Sequence, residues 1–504
     1  MGLGRAFADW SRMKPERMTS ILLCWLVCSG GATAVPCAID DPVAGMHMIV
    51  RPAPGETIES FNTALGVSHP GFSLTWIDAI PNRPIHLGEL VTPTDATDLE
   101  IDAAIEAIEL GLAGVLTWGE SLYLGEGPEG ATGSIFVDFV GTTDRFANQY
   151  STSLIGMSAA HSRSTGSGTV VAILDTGLDA AHPLLAGHII SGGHDFVDND
   201  TDPSEHRNEL DDDEDGLVDE GWGHGTFVAS LVVLGAPDAR LLPVRVLDSE
   251  GATGNWRLAA GLFFAIDRGV EVINICVAST YKSGAVEDAI SEARDLGIVA
   301  VAAAGNCDRN IPHAFPAMQS HAFGVAATTI DDVRCLFSNF GPKLSISAPG
   351  GTTGFPDAIG KSELVLGAVP GGEIGVWEGS SMSTPLVSAA AALVRSQHPD
   401  WAATTETWQL THAALTSSAD SIDSLNPGFE GLLGAGRLNL ATLAQLAAPA
   451  PPHGDLDADG VVGLDDLLLL ISDWNLTHSS ADLDGNGRVE TSDLLRLISL
   501  WSNP

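Results

Sequence analysis

Three apolar runs, Val170–Leu174, Val272–Val277 and Ile298–Ala304, do most to limit what this 504-residue chain can fold into. Each is nearly continuous in apolar residues, and Gly-rich turns and helical patterns lie between them. A strand wetted on one side alternates polar and apolar residues, whereas a run of this kind is covered on both faces. Such strands alternating with helices form a parallel sheet between helical layers. The expected fold class is α/β, a parallel sheet flanked by helices, over residues 146–447. With 65 acidic residues against 23 basic ones and a formal charge of −42, the chain is not built for a nucleic-acid backbone or an anionic membrane surface.

Four segments in this region carry chemistry. The first run ends in Asp175-Thr176-Gly177, an acid and a glycine turn at a strand's carboxyl end, where open α/β sheets gather functional groups. Gly223-His224-Gly225 opens a stretch of small residues suited to a closely packed helix. Ala304-Gly305-Asn306 closes the third run with an amide side chain. Gly379-Ser380-Ser381-Met382 stands before a helix of mostly small residues from Leu386 to Val394. A serine hydroxyl is a poor nucleophile until a histidine takes its proton, and the histidine needs an acid to hold its tautomer. An amide donor can then stabilise the oxyanion of a tetrahedral intermediate.

With these segments in the order Asp175, His224, Asn306, Ser381, the region resembles a subtilisin-type serine peptidase. The resemblance extends to Asp179-Ala180-Ala181-His182-Pro183, Val272-Ile273-Asn274, Phe315-Pro316-Ala317, Ser338-Asn339-Phe340-Gly341 and Ala348-Pro349-Gly350. It implies Asp175 as orienting acid, His224 as general acid and base, and Ser381 as nucleophile. It also implies an oxyanion hole of Asn306 and the Ser381 backbone N–H. Phe227 and Ser230 stand where the family usually has histidine and glycine. Cys276, Val277 and Ala278 fall on the segment expected to pair with substrate, and Cys276 and Ala278 replace its usual Ser-x-Gly. The extra atoms are expected to narrow the primary specificity pocket.

Residues 1–34 read as a secretory signal. Arg5, Arg12, Lys14 and Arg17 precede an apolar run from Ile21 to Cys28, and small residues lead to cleavage after Ala34. The same layout holds if translation starts at Met13 or Met18. The run is well short of the roughly 20 residues a spanning helix needs, so no transmembrane segment is expected. The expected location is secreted or cell-surface associated. Export leaves Cys37, Cys276, Cys307 and Cys335, whose three full pairings and a set of buried thiols all stay open. Residues 35–145 weakly resemble a subtilisin propeptide, a small α+β domain that would chaperone and inhibit the peptidase until cut off near residues 140–150. A retained accessory domain is the other reading.

After a stiff Pro/Ala linker at 448–453, residues 454–504 repeat with a period of 27: Asp455 matches Asp482, Asp466 matches Asp493, and Trp474 matches Trp501. Asp455, Asp457, Asp459 and Asp466 take positions 1, 3, 5 and 12 of a calcium loop, with Gly460 at position 6. Asp482, Asp484, Asn486, Gly487 and Asp493 repeat the scheme, and oxygen ligands at this spacing suit Ca2+. Two such loops, each followed by one helix, resemble a dockerin. That implies a small all-α calcium-binding domain with a cohesin-like partner; a calcium-stabilised cap without one is the alternative. The apolar residues Leu467–Ile471 and Leu494–Leu500 are expected to pack the two helices together. A third candidate calcium loop lies in an insert before His224, where thirteen acids occur between Asp195 and Glu220. Its ligands would be Asp211, Asp213 and Asp215. The function expected is a secreted serine endopeptidase acting on protein or peptide substrates and tethered through its tail. The alternative is an inactive or narrowly specific peptidase-fold protein whose main role is binding.

Overall fold

The computed structural model describes residues 46–126, 142–211, 218–279, 281–310, 315–352 and 365–446, and in the tail 454, 456, 462–476, 481, 483 and 488–501. The chain divides into two compact units, residues 1–441 and 442–504.

The first unit begins with an antiparallel sheet of β1 (His47–Pro52), β2 (Ser73–Ala79), β3 (His86–Val91) and β4 (Leu116–Ser121), in the order β2-β3-β1-β4. Helices α1 (Ile58–Ser68) and α2 (Asp98–Glu109) start at Thr57 and Thr97, which form capping boxes with Ser60 and Glu100. Strand alternation then divides β1. Met48 and Val50 join Phe61, Leu65 and Ile108 in a core of this domain's own, while Ile49 faces the other way, into the main core. The small sheet is therefore covered on both faces.

The main sheet is built from β6 (Val170–Asp175), β7 (His194–Asp195), β8 (Arg240–Arg245), β10 (Val272–Ile275), β11 (Val299–Ala303), β12 (Phe323–Thr328) and β13 (Ile346–Pro349). All its pairings are parallel, in the order β13-β12-β11-β10-β6-β8-β7. The three apolar runs are β6, β10 and β11, and the parallel sheet flanked by helices is as the sequence implies. From β6 the chain builds outward in one direction through β8 and in the other through β10, so Asp175 ends a strand beside the switch in strand order. Two short strands lie outside this sheet: β5 (Leu124–Glu126) pairs antiparallel with β9 (Ala252–Gly254). A hairpin of β14 (Val365–Val369) and β15 (Glu373–Trp377) precedes the serine segment.

Helix α3 (His224–Gly235) carries the histidine, and α4 (Asn255–Asp267) and α5 (Gly284–Asp295) cover one face of the sheet. On the other runs α6 (Ser380–Gln397), buried from Ser380 to Val394 and packed against β10, β11, β12, β13 and α3. Its Ser and Ala side chains permit that close approach. The amino-terminal domain rests on α4 and α5: Arg83 pairs with Asp267 at 2.8 Å and with Glu292, and Arg51 with Asp288 at 2.5 Å.

In the second unit, α7 (Leu464–Ser472) and α8 (Thr491–Ser499) close a small core of Val462, Leu470, Ala481, Leu483, Val489 and Leu497. The expected packing of the two apolar stretches holds for one face of each: Leu470 and Leu497 are buried with Leu467, Leu494 and Leu500 against them, but Leu468, Leu469, Ile471, Leu495 and Ile498 are exposed. A run of consecutive apolar residues on a helix can turn only one face inward. No helix among the described residues is long and apolar enough to cross a membrane.

Candidate active site

Asp175, at the end of β6, is fully buried. Its Oδ1 accepts His224 Nδ1 at 2.7 Å and the Thr176 N–H at 2.8 Å. His224 is the first residue of α3, 3% exposed, with the Trp377 ring edge-on at 5.2 Å. Trp377, which sequence reasoning missed, ends β15 and also meets Phe227 at 5.8 Å. The two departures at Phe227 and Ser230 form one packing unit. A Cβ on Gly367 would lie 2.6 Å from the Phe227 ring, and the Ser230 hydroxyl takes the Ala368 N–H at 2.9 Å while donating to Phe227 O at 2.7 Å. Together they seat the β14–β15 hairpin on α3.

Ser381 stands in the first turn of α6, on the same face of the sheet as α3, and its neighbour Ser380 is tied to the Asn306 segment. The Ser380 N–H donates to Asn306 Oδ1 at 2.9 Å, and the Ser380 hydroxyl accepts the Gly305 N–H at 2.9 Å. These bonds fix the orientation of the Asn306 amide against the start of α6. Asn339 holds the loop beyond, accepting the N–H groups of Cys307 and Arg309 at 3.1 Å each and donating to Ala304 O at 2.9 Å. Within α6, Pro385 has no N–H to give the Ser381 carbonyl four residues earlier. The Cys276 thiol donates to that carbonyl at 3.6 Å.

Cys276 is fully buried beneath the serine segment, with its side chain toward α6. Val277 is also buried and lines a small cavity with Tyr123, Leu258 and Tyr281. Ala278 is half-buried beside Gly305. Cys276 and Cys335 carry buried thiols, Cys307 is disulfide-bonded, and Cys37 lies outside the described residues.

The acidic insert is held partly from β8 and partly by its own residues. Arg245 pairs with Asp195 and Asp198, both at 2.6 Å. Asp219 accepts the N–H groups of Asn208 and Glu209 at 3.0 and 2.9 Å. Asp211 is exposed, and Asp213 and Asp215 lie outside the described residues. One acid of the insert, Glu205, reaches the histidine helix, and burial pushes it up to about 7. In the sequence nothing separates it from its acidic neighbours. In the tail, Asp466 and Asp493 are 1% and 0% exposed and accept the N–H groups of Gly463 and Glu490 at 2.7 and 2.8 Å. The other expected ligands, Asp455, Asp457, Asp459, Asp482, Asp484 and Asn486, fall outside the described residues.

The peptidase region is similar to known proteins. The profile of the Subtilase family (Peptidase_S8) matches residues 166–436. Thermitase of Thermoactinomyces vulgaris is 34% identical over 262 residues, 50% of this chain and 83% of that protein. Subtilisin NAT of Bacillus subtilis subsp. natto is 33% identical over 277 residues, 51% of this chain and 65% of that protein. Among solved structures, a protease from Pseudoalteromonas arctica superposes with a TM-score of 0.53 at 26% identity, covering 62% of this chain and all of that one. Fervidolysin from Fervidobacterium pennivorans gives 0.58 at 20% identity, covering 81% of this chain and 62% of that one, a likeness of fold alone.

Proposed function

This chain belongs to the subtilase family and is a subtilisin-like serine endopeptidase, and on that premise we propose that Asp175, His224, Ser381 and Asn306 carry its chemistry. Ser381 Oγ attacks the scissile carbonyl as His224 takes its proton, and the proton then passes to the leaving amine. Asp175 holds the Nδ1–H side of the ring and stabilises the imidazolium. Asn306 and the Ser381 N–H receive the oxyanion. The observation that carries this reading is the buried 2.7 Å contact between Asp175 Oδ1 and His224 Nδ1. The test compares the full-length protein with Ser381→Ala by intact mass and casein hydrolysis. The wild type is expected to trim its amino terminus and digest casein, the alanine form to stay whole and inert. If the two behave alike, the binding reading takes its place.

The amino-terminal domain reads as a propeptide. Supporting this, its sheet rests on α4 and α5, and β5 beyond it adds an antiparallel strand to β9. Tyr123 meanwhile stacks on Tyr281 at 4.4 Å. The segment that follows is where we place the maturation cut, near residues 140–150. Residues 1–34 would direct secretion.

The tail reads as a dockerin-like anchor for a cohesin-like partner. Asp466 and Asp493 suit Ca2+ ligation: hard carboxylate oxygens, buried, each held at the foot of a helix by an N–H. With Asp455, Asp457, Asp459, Asp482, Asp484 and Asn486 they would hold two ions, which would supply cross-links that order the loops. Chelator is expected to lower the melting temperature of the tail and leave the described peptidase residues folded, as read by circular dichroism and hydrogen exchange.

A further inference from the structure

We propose that Glu205 is a positioning residue for the histidine: its carboxylate ties the Asp175 turn to the first turn of α3 and so sets where the His224 ring stands. The inference rests on the triad reading above and adds a side chain to it.

A helix begins with N–H groups that have no partner within it. In α3 the cap position is Gly223, at φ 91°, with no side chain to offer. Glu205, from a separate segment, does the work of one. The Gly223 N–H donates to its Oε2 and the Thr226 N–H to its Oε1, both at 3.0 Å. These are the cap and third-residue donors that a capping box satisfies from within the helix. The Thr226 hydroxyl donates to Oε1 at 3.1 Å, and the Thr176 hydroxyl lies 3.3 Å from both oxygens.

The two threonines extend the tie in both directions. Thr176 follows the orienting acid, and its hydroxyl takes the Gly225 N–H at 3.0 Å; that of Thr226 takes the Asp179 N–H at 2.9 Å. The packing leaves no slack. A Cβ on Gly225 would lie 2.2 Å from Gly177 O, and one on Gly177 would lie 2.6 Å from Ser204 O. If the carboxylate is lost, the donors at the start of α3 are left buried and unpaired, and the ring attached to that turn shifts with it.

Charge bears on the same point. A negative group at a helix start is favoured by the helix dipole. The groups facing Glu205 are Asp175 from the end of β6 and His224 on α3. Asp179 lies beyond the turn, and His206 and Arg207 are in its own segment, the latter 3.6 Å over the Trp222 ring. Burial pushes Glu205 up to about 7, the backbone donors pull it down, and the Asp175 charge raises it again. Its ionised form, the one that accepts these bonds, is lost as the pH falls through that value.

The test measures kcat and KM on a soluble peptide over roughly pH 5–9 for the matured wild type and for Glu205→Gln, Thr226→Val and Ser381→Ala. Glu205→Gln is expected to lower kcat roughly 10- to 100-fold with KM nearly unchanged, the signature of a displaced catalytic group. Its acid limb should also move to lower pH, because an acceptor that protonates near 7 is gone and the imidazolium loses a negative neighbour. A merely structural role would leave that limb in place. Thr226→Val keeps the charge and removes one donor, so kcat should fall several-fold and the limb should stay. Wild-type kcat and an unmoved limb in Glu205→Gln, with Ser381→Ala inert, overturn the proposal. If Glu205→Gln yields no folded enzyme, Thr226→Val decides, and an unchanged kcat there overturns it equally. An active Ser381→Ala would instead sink the triad reading.

Discussion

Two helices of the peptidase, α3 and α5, begin under a buried carboxylate contributed from elsewhere in the chain, and they differ in what remains if it leaves. At α5 the carboxylate is Glu120 of β4, in the amino-terminal domain. It accepts the Ser283 hydroxyl at 2.8 Å and the N–H groups of Gly284 and Ala285 at 2.7 and 3.4 Å. Burial pushes it up to about 7, as it does Glu205. But α5 also has its own cap, since the Ser283 hydroxyl accepts the Val286 N–H at 3.3 Å. At α3 the cap position is Gly223, which has no side chain to offer. The helix without a cap of its own is the one whose carboxylate comes from within the peptidase region, and the helix whose carboxylate comes from the amino-terminal domain keeps one.

The comparison breaks most readily at Glu120. Glu120→Ala leaves three donors without their acceptor across the domain contact, a cost of about 1–3 kcal/mol. That corresponds to an inhibition constant roughly 5- to 150-fold weaker for residues 35–145 added to the matured enzyme. Turnover by that enzyme should not change. An equal loss of turnover in Glu120→Ala would mean the two carboxylates are not different in kind.

A pH series sharpens it further. Glu120 sits near 7 in the joined domains against an ordinary 4.5, so the joined state holds an extra proton between those values. Its contribution to association is therefore full below about 4.5 and lost as the pH rises through about 7. Inhibition should weaken by roughly 50- to 100-fold between about pH 5 and 8, and Glu120→Gln should flatten that dependence. His86 works in the opposite sense, because burial lowers it and its protonation on acidification disfavours the folded domain.

What the sequence made legible follows from distance along the chain. β6, β10 and β11 are apolar throughout, so their burial is written locally, and Asp175, Asn306, His224 and Ser381 each stand beside or near glycines at a strand end or helix start. Glu120 and Glu205 could not be found. Their partners lie 163 to 165 residues away at Ser283, Gly284 and Ala285, and 21 away at Thr226, and an acid among acids carries no local mark of such a role. In the tail the exposure of Leu468, Ile471, Leu495 and Ile498 is not legible from a run that is apolar all round, because only one face of each helix meets the small core.

The smallest expected effect tests why α5 can stand alone. Ser283→Ala removes the hydroxyl that caps α5 and that also donates to Glu120. In the matured enzyme Val286 N–H then has no side-chain acceptor, and the loss should be about 1 kcal/mol, as for other serine caps replaced by alanine. For a domain of this size that is a melting temperature lower by roughly 2–4 °C. In the full-length chain, held uncut by Ser381→Ala, the same substitution also takes the Ser283 donor from Glu120, so it should cost more there. Gly223 offers no counterpart to this experiment, because at φ 91° any side chain strains the backbone. If Ser283→Ala leaves the melting temperature of the matured enzyme unchanged, the hydroxyl is not what would let α5 stand without Glu120.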